Sequence, residues 1–486
     1  MASKGLDETS ALLASKSSKF DASEETDSSE PKTTGFFETI VYCKRWYMLA
    51  VFSFVAFTLG SFWNTWSPLG DALLIGFGWT NNFIALSLTL TIIGNLVFSI
   101  PIMYLIERYN FRVGAIFSVS LLLGTALVWN IAYLLRMEQI FVCGCLLSGI
   151  AACLAFAGPP LLSVIWFPVA ERTTATALAS MSTHFGAGLS FIISPSVSGV
   201  KITAEEVLHY TNVSDERKEE VQDGLHHVVY FDTILAVVCF LLVAVHFPAR
   251  PPTPPSRVQT RPRTEYWKGL KEISCNGQFW IMAMAFNISN GAYIAWLPML
   301  SLLIANSLRL DAVIGDYIGF VAIIVGCFGT IVIAFVVDRY KRHTKLALLI
   351  LSAVATALYI LLACIQSGYI VIKDEIALVV VLYLIVVGIG ICMNARAPLC
   401  YELGCEIAYP VPEGLAAAYI TTLSGICGTL FYLIFFIPGL DENDTWTTWA
   451  CVIACAVSIP MFILLKESYK RLNEETPIQQ EKERQA

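Results

Sequence analysis

Apolar residues in this chain fall in runs of about twenty, the length a helix needs to cross a bilayer, and not in the one-sided stripe of a soluble helix. Twelve such runs have cores near 46–66, 83–106, 113–133, 138–160, 174–197, 228–247, 279–304, 316–337, 346–366, 376–398, 415–437 and 447–465. Each predicts a membrane-spanning α-helix, because a segment in hydrocarbon must satisfy its own backbone polar groups. The least regular stretch is 159–173, where Pro159, Pro160 and Pro168 disturb spans 4 and 5. Residues 1–40 are rich in Ser, Thr, Glu and Asp and hold too little apolar area to fold alone, so they are expected to form a disordered tail. They contain no apolar stretch of signal-peptide type, and the first span is expected to direct insertion. Residues 467–486 are expected to form a second tail.

Composition strengthens this picture. Of 486 residues, 56% are hydrophobic and 14% charged, against about a quarter charged in soluble proteins. The net charge of −7 lies mostly in tails and loops, and no basic patch points to nucleic acid. Lys and Arg in the loops set orientation. Loops 2–3, 4–5, 6–7, 8–9 and 10–11 together hold Arg108, Arg112, Arg172, Arg250, Arg257, Arg261, Arg263, Lys268, Lys271, Arg339, Lys341, Arg342 and Lys345. The opposite loops hold only Arg136, Lys201, Arg217, Lys218, Arg309 and Lys373. Both termini are therefore expected in the cytosol. Loop 10–11 breaks the rule, with three Glu and no Lys or Arg. The sequons Asn212-Val-Ser214 and Asn443-Asp-Thr445 fall in loops expected to be lumenal, which makes Asn212 and Asn443 candidate glycosylation sites. Most of the 14 cysteines lie inside apolar runs. Neither a disulfide framework nor a metal site is expected, and Cys143-Gly-Cys145 is read as small packing residues.

The chain also repeats itself. Trp66-Ser-Pro68 closes span 1, and Trp296-Leu-Pro298 lies in span 7. Leu105-Ile-Glu107-Arg108-Tyr109 follows span 2, and Val336-Val-Asp338-Arg339-Tyr340 follows span 8. Phe167-Pro168-Val169-Ala-Glu171 precedes span 5, and Tyr409-Pro410-Val411-Pro-Glu413 precedes span 11. Three matches in the same order argue for two related six-span halves, 41–248 and 278–466, with substrate between them near the midplane. The stretch 249–277 joins them. It opens on Arg250-Pro-Pro-Thr-Pro-Pro255, which favours extended polyproline geometry, and continues basic. Glu107 with Arg108 and Arg112, and Asp338 with Arg339 and Arg342, sit where helices meet the cytosol. They form either a conformational latch to neighbouring helix ends or ordinary juxtamembrane charges.

Twelve spans with an acid–Arg loop after spans 2 and 8 resemble the major facilitator superfamily, although Glu107-Arg108-Tyr109-Asn110-Phe111-Arg112 has Asn where that family has Gly. More narrowly, the chain resembles the solute-carrier branch related to the feline leukaemia virus subgroup C receptor. The stretches that carry the likeness are Trp63-Asn64-Thr65-Trp66, Trp166-Phe167, Glu171 to Met181, Pro248-Ala-Arg250-Pro-Pro, Tyr409 to Gly414 and Glu467-Ser468-Tyr469. The resemblance implies an all-α membrane protein, with twelve transmembrane helices in two pseudo-symmetric bundles. It also implies a lysosomal secondary transporter, with proton-coupled export of pyridoxine (vitamin B6) as the first expectation. Choline, haem or another organic metabolite is the alternative substrate, and a receptor or scaffold that has lost transport is the alternative role. Glu8-Thr-Ser-Ala-Leu12-Leu13 fits the acidic dileucine sorting pattern of a lysosomal member, which implies a clathrin adaptor as partner beside the substrate, protons and membrane lipid. No cofactor is implied.

Several intramembrane residues are candidates for the solute path, because buried polarity in a bilayer is costly. Arg396 either holds an anionic group, pairs with a coupling carboxylate such as Glu402, or extends to the membrane surface. Histidine ordinarily titrates near neutral pH, so His184 is expected either to couple protons or to be a hydrogen-bonded core residue; the resemblance places this position in the substrate site. Trp63 presents a ring face suited to a cation or a pyridine ring, while Trp66 reads as an interface residue. Asn287, Asn290, Tyr293 and Trp296 in span 7 are expected to line the cavity or to bind helices together. Asn64, Thr421 and Ser424 belong to the same class. No Walker sequence, intramembrane HExxH or serine elbow is present, which argues against an ATP-driven pump and a membrane hydrolase.

Overall fold

The computed structural model describes residues 41–79, 81–202, 206–207, 210, 213–255, 264–310, 312–340, 343–435, 445–466 and 469–471. Glu8, Leu12, Leu13, Asn212, Arg342 and Asn443 lie outside them. Among the described residues, twelve helices form the body: α1 (Lys44–Asn64), α2 (Asn81–Tyr109), α3 (Phe111–Leu135), α4 (Glu138–Ala151), α5 (Arg172–Ser198), α6 (Asp215–His246), α7 (Gly277–Trp296), α8 (Ala312–Arg339), α9 (Thr344–Gln366), α10 (Glu375–Ala408), α11 (Glu413–Phe435) and α12 (Thr445–Leu464). Among the described residues, eleven helical stretches are long and apolar enough to cross a membrane. The helix missing from that set is α7, whose apolar run is diluted by Asn287, Ser289 and Asn290. Side chains cap several starts: Asn110 Oδ1 accepts from Val113 N–H at 2.9 Å ahead of α3, and Asn276 Oδ1 accepts from Gln278 and Phe279 N–H ahead of α7.

The two halves break at matched places. After α1 the chain makes one 3₁₀ turn at Ser67–Leu69 and resumes as the helix Gly70–Phe77. After α7 it does the same at Leu297–Met299 and resumes as Leu300–Leu308. Pro68 and Pro298 sit in the two turns, where a residue without an N–H ends one helix and starts the next. Packing repeats as well. The contacts of α1 with α5, α2 with α4, and α3 with α6 recur as α7 with α11, α8 with α10, and α9 with α12. Between the halves, α2 meets α11 and α5 meets α8. Glycines set the closest approaches. A Cβ at Gly60 would lie 2.0 Å from the Thr183 carbonyl oxygen, and one at Gly186 2.0 Å from that of Phe57, so α1 and α5 touch backbone to backbone. Gly291 does the same for α7 against Cys427 of α11.

Three elements differ from the sequence expectation. Helix α10 runs ten residues past the expected end at 398, because Pro398 lies within it and Glu402 and Glu406 are buried, not loop residues. Span 4 is three pieces, α4 followed by Cys153–Ala157 and Pro159–Trp166, broken at Ala152 and Gly158-Pro159. The joining stretch contains a ten-residue amphipathic helix, Tyr266–Cys275, which we call the linker helix. Its Tyr266 hydroxyl donates to the Ile100 carbonyl at 2.6 Å, and Gly269 lies against Val411 and Leu415, so it rests on both halves. We call this face of the bundle the linker end.

Candidate substrate cleft and linker-end gate

Helices α1, α5 and the Cys153–Ala157 piece bring an aromatic corner together. Trp63 meets Phe156 edge to face at 5.3 Å between ring centres, and Phe156 meets His184 at 6.4 Å. All three side chains are half-buried, which in a helix interior marks a cleft wall. Beside them the Asn64 amide donates to the Ala187 carbonyl at 3.4 Å. Trp63 also borders a small recess lined by Phe62, Trp66, Leu73, Ser87, Leu88, Thr91 and Phe141. In the second half, Asn290 of α7 donates to Ser424 Oγ of α11 at 2.8 Å, and both are half-buried. Tyr401 and Thr421 share a hydrogen bond at 3.1 Å. Tyr293 lies beside Asn394, a half-buried amide on α10.

Other candidates lie elsewhere. Trp296 is fully buried inside the second half, donating to Thr448 Oγ1 at 3.1 Å and meeting Tyr359 edge to face, so it packs α7 on α9 and α12 and lines no cleft. Asn287 is likewise fully buried, one helical turn from Asn290 but off the exposed face. Arg396 neither reaches the membrane surface nor pairs with Glu402. Its guanidinium is 0% exposed and donates to Ser289 Oγ at 2.9 Å and Ser352 Oγ at 3.4 Å, with Met393 Sδ alongside. The residues around it on α7, α9 and α12 hold it inside one half, and no described carboxylate is within ion-pair distance. Trp66 is buried against Trp129 and Phe141 and is not an interface residue.

At the linker end the two halves are pinned across the pseudo-twofold axis. Asp338, at the end of α8, accepts from Thr173 N–H at 3.2 Å, Thr174 N–H at 2.7 Å and Thr174 Oγ1–H at 2.7 Å. These are the first residues of α5, whose N–H groups lack helical partners and carry the positive end of the helix dipole. Glu107, at the end of α2, accepts from Leu415 N–H at 3.2 Å at the start of α11. Each half thus contributes one acid that caps a helix of the other. The arginines behave differently. Arg112 donates to the Ala244 carbonyl near the end of α6 at 3.1 Å, whereas Arg108 and Arg339 are exposed. Glu402 joins the same region, within 3.3 Å of Ser163 Oγ and 3.0 Å of Thr176 Oγ1.

The sequence pattern of the Major Facilitator Superfamily matches residues 48–432. The chain belongs to the major facilitator superfamily. It is 29% identical to a solute carrier family 49 member 4 homolog of Xenopus laevis, over 89% of this chain and 93% of that one. It is 21% identical to the choline/ethanolamine transporter FLVCR2 of Homo sapiens, over 89% of this chain and 80% of that one. These relatives belong to the receptor-related branch that the motifs resemble. Among solved structures, the transporter FucP in its outward conformation superposes with a TM-score of 0.69 at 16% identity, covering 86% of this chain and 99% of that one. The chain is therefore a membrane transporter of major facilitator type and not an enzyme.

For a major facilitator protein, three residues stand out that the sequence pattern did not single out: Phe156, Asp232 and Arg471. Phe156 is one apolar residue among many in span 4, and only its position between Trp63 and His184 distinguishes it. Asp232 of α6 is 2% exposed with Thr65 as hydrogen-bonding neighbour, and its Oδ2 has no partner. Its signal was available, since it is an acid inside the predicted span 228–247. Arg471 is 2% exposed and lies beyond the last span, where a charged residue carries no expectation of burial.

Proposed function

We propose that the chain moves a small aromatic or cationic solute by alternating access, and that pyridoxine leaving the lysosome with protons is its substrate reaction. The observation that carries this reading is the unlike pair of cleft walls: Trp63, Phe156 and His184 in the first half, Asn290 and Ser424 in the second. A ring wall takes a pyridine face. Amide and hydroxyl groups take the hydroxyls of a neutral, polar ring. His184, half-buried beside Phe156, is a group that can gain a proton on the acid side and release it on the neutral side. Glu402 is the second coupling candidate; Arg396 serves this role only through the hydroxyls it holds.

The positive-inside pattern supports placing the linker end, with both termini, in the cytosol. Asp338 and Glu107 then close the cytosolic side, and moving solute requires those caps to part. The dileucine pattern Glu8, Leu12, Leu13 supports lysosomal sorting through a clathrin adaptor, and Asn212 and Asn443 would carry lumenal sugars. A second reading has a specific observation behind it. Trp63 and Phe156 also suit a quaternary ammonium, and relatives at 21–23% identity are named choline/ethanolamine transporters.

The test is flux from vesicles holding the purified chain with an acidic interior. Labelled pyridoxine is expected to leave faster than from empty vesicles, and faster again with the pH gradient imposed. His184→Gln should keep exchange at equal pH while losing the acceleration. Choline flux without pyridoxine flux transfers the site to the second reading. Flux of neither, nor of other metabolites, leaves a receptor or scaffold.

A further inference from the structure

The linker end holds a cation that belongs to none of the twelve helices. Arg471 Nη2 lies 2.8 Å from Glu402 Oε2, and Nε lies 2.9 Å from Glu406 Oε1. Its backbone N–H donates to Glu406 Oε2 at 3.1 Å, and Nη1 is 3.7 Å from Glu413 Oε1. Glu402 and Glu406 sit on the last turns of α10, and Glu413 opens α11. All three carboxylates are at most 8% exposed. This is the loop that holds three Glu and no Lys or Arg, the one exception to the charge pattern of the loops on its side. The missing positive charge comes from outside the loop.

Glu402 gives the arrangement its direction. One carboxylate oxygen faces Arg471, and the other faces Ser163 and Thr176 of the first half. Glu402 is thus a joint between the halves, and Arg471 holds it from behind. We propose that Arg471 is a positioning residue of the transport cycle, which neutralises the Glu402–Glu406–Glu413 group and so favours the state closed at the linker end. The proposal rests on the alternating-access reading for its meaning, but its test does not need flux. Closing buries Glu402 between the halves, where an unpaired carboxylate is strongly unfavourable. Opening parts Glu402 from Ser163 and Thr176 and admits water, where the same ion pairs contribute little. A partner that stabilises one state more than the other shifts the equilibrium between them. The ion pairs of Arg471 are with Glu402, Glu406 and Glu413 at the linker end, away from Trp63 and Asn290.

Cys405 reports on this gate. It is buried on α10 between Glu402 and Glu406 in sequence, with its thiol 3.9 Å from the Glu413 carbonyl. Cys153 is buried between α2 and the Cys153–Ala157 piece, near Asn95, and serves as the reference. The full-length protein in vesicles is treated with a membrane-impermeant maleimide at the linker end, and labelling at each cysteine is read by peptide mass spectrometry. Arg471→Ala is expected to raise the Cys405 rate at least about tenfold, since losing one partner of a buried ion pair is worth more than that factor, with Cys153 unchanged. Loss of a neighbouring cation by itself makes a thiolate harder to form, so faster labelling reports access. Adding Glu402→Gln and Glu406→Gln to Arg471→Ala should bring the rate back towards that of the parent. An unchanged Cys405 rate in Arg471→Ala overturns the proposal. So does an equal rise at Cys153, which is loosening of the whole fold, or a failure of the glutamine changes to reverse the effect. Absent flux of every solute with this labelling pattern intact would remove the transporter reading and leave the gate standing.

Discussion

The two halves share their scaffold and differ in their polar interior. Both break a helix at a proline after the first span, both bring the same pairs of helices together, and both place an acid at the end of a second helix to cap the opposite half. Their interiors then diverge. The first half holds an aromatic corner at the cleft and a lone acid, Asp232, in its core. The second half holds amides and hydroxyls at the cleft and a lone cation, Arg396, in its core. Duplication fixes what rocking requires, namely rigid helix pairs and matched caps. What recognises a solute has no need of symmetry, because the solute itself is unsymmetrical. Symmetry therefore separates mechanical residues from chemical ones.

The largest effects should come from the matched caps. Asp338 accepts three hydrogen bonds from the start of α5, two of them backbone, and Glu107 accepts from Leu415 N–H at the start of α11. Charge-assisted bonds at a helix start contribute roughly 1–2 kcal/mol each. Asp338→Ala should therefore shift the closed-to-open ratio at the linker end by at least about a hundredfold, and Glu107→Ala should shift it in the same direction. Spin labels at the exposed positions Arg108 and Arg339 report the separation of the halves as a distance distribution. An unchanged distance distribution in either variant would show that its cap does not hold the linker end closed.

The cleft walls come next. Removing the ring in Trp63→Ala should weaken solute binding by about 1–2 kcal/mol, or roughly 5- to 30-fold in KM. Asn290→Ala, which loses one neutral hydrogen bond to Ser424, should weaken it by about 1 kcal/mol. Trp296→Phe provides the contrast. Its indole N–H bonds inside the second half to Thr448, so the change should lower the amount of folded protein and leave the KM of what remains unaltered. A raised KM for Trp296→Phe, with Trp63→Ala silent, would reverse the assignment of the two tryptophans.

This contrast also marks what sequence can disclose. Long apolar runs, prolines after the first and seventh spans, and the two acid–Arg loops were legible because each rests on a local rule: hydropathy, a missing N–H, charge at an interface. The end of α10 was not, because burial of Glu402 and Glu406 depends on Arg471, about seventy residues away in sequence. The same holds for the cleft. Asn287, Asn290, Tyr293 and Trp296 share one helix, but each step of three residues turns the direction by about 60°, and of the four only Asn290 is half-exposed, because neighbouring helices cover the rest. Periodicity says which residues lie together on a helix. Only packing says which neighbour they meet.

The smallest change in stability is expected at the two lone charges. Among the described residues Arg396 makes no ion pair, and the nearer of its two serine hydroxyls has other partners. Ser289 Oγ is 3.0 Å from the Phe286 carbonyl and 3.2 Å from that of Ala285. Arg396→Met keeps the volume, leaves Ser289 its backbone carbonyls and removes a charge from an apolar interior, a class of change that is neutral or stabilising. Asp232→Asn keeps the shape and the contact to Thr65. Both variants should melt within about 1 kcal/mol of the parent. Were these charges only packing, transport would follow stability and stay unchanged. Intramembrane ionisable groups persist where they are used, so Asp232→Asn is expected to lose the acceleration by a pH gradient while keeping exchange at equal pH, and Arg396→Met to lower both. A full response to the gradient in Asp232→Asn would leave the coupling to His184 and Glu402, and the unlike cores of the two halves would then be a difference in packing and not in chemistry.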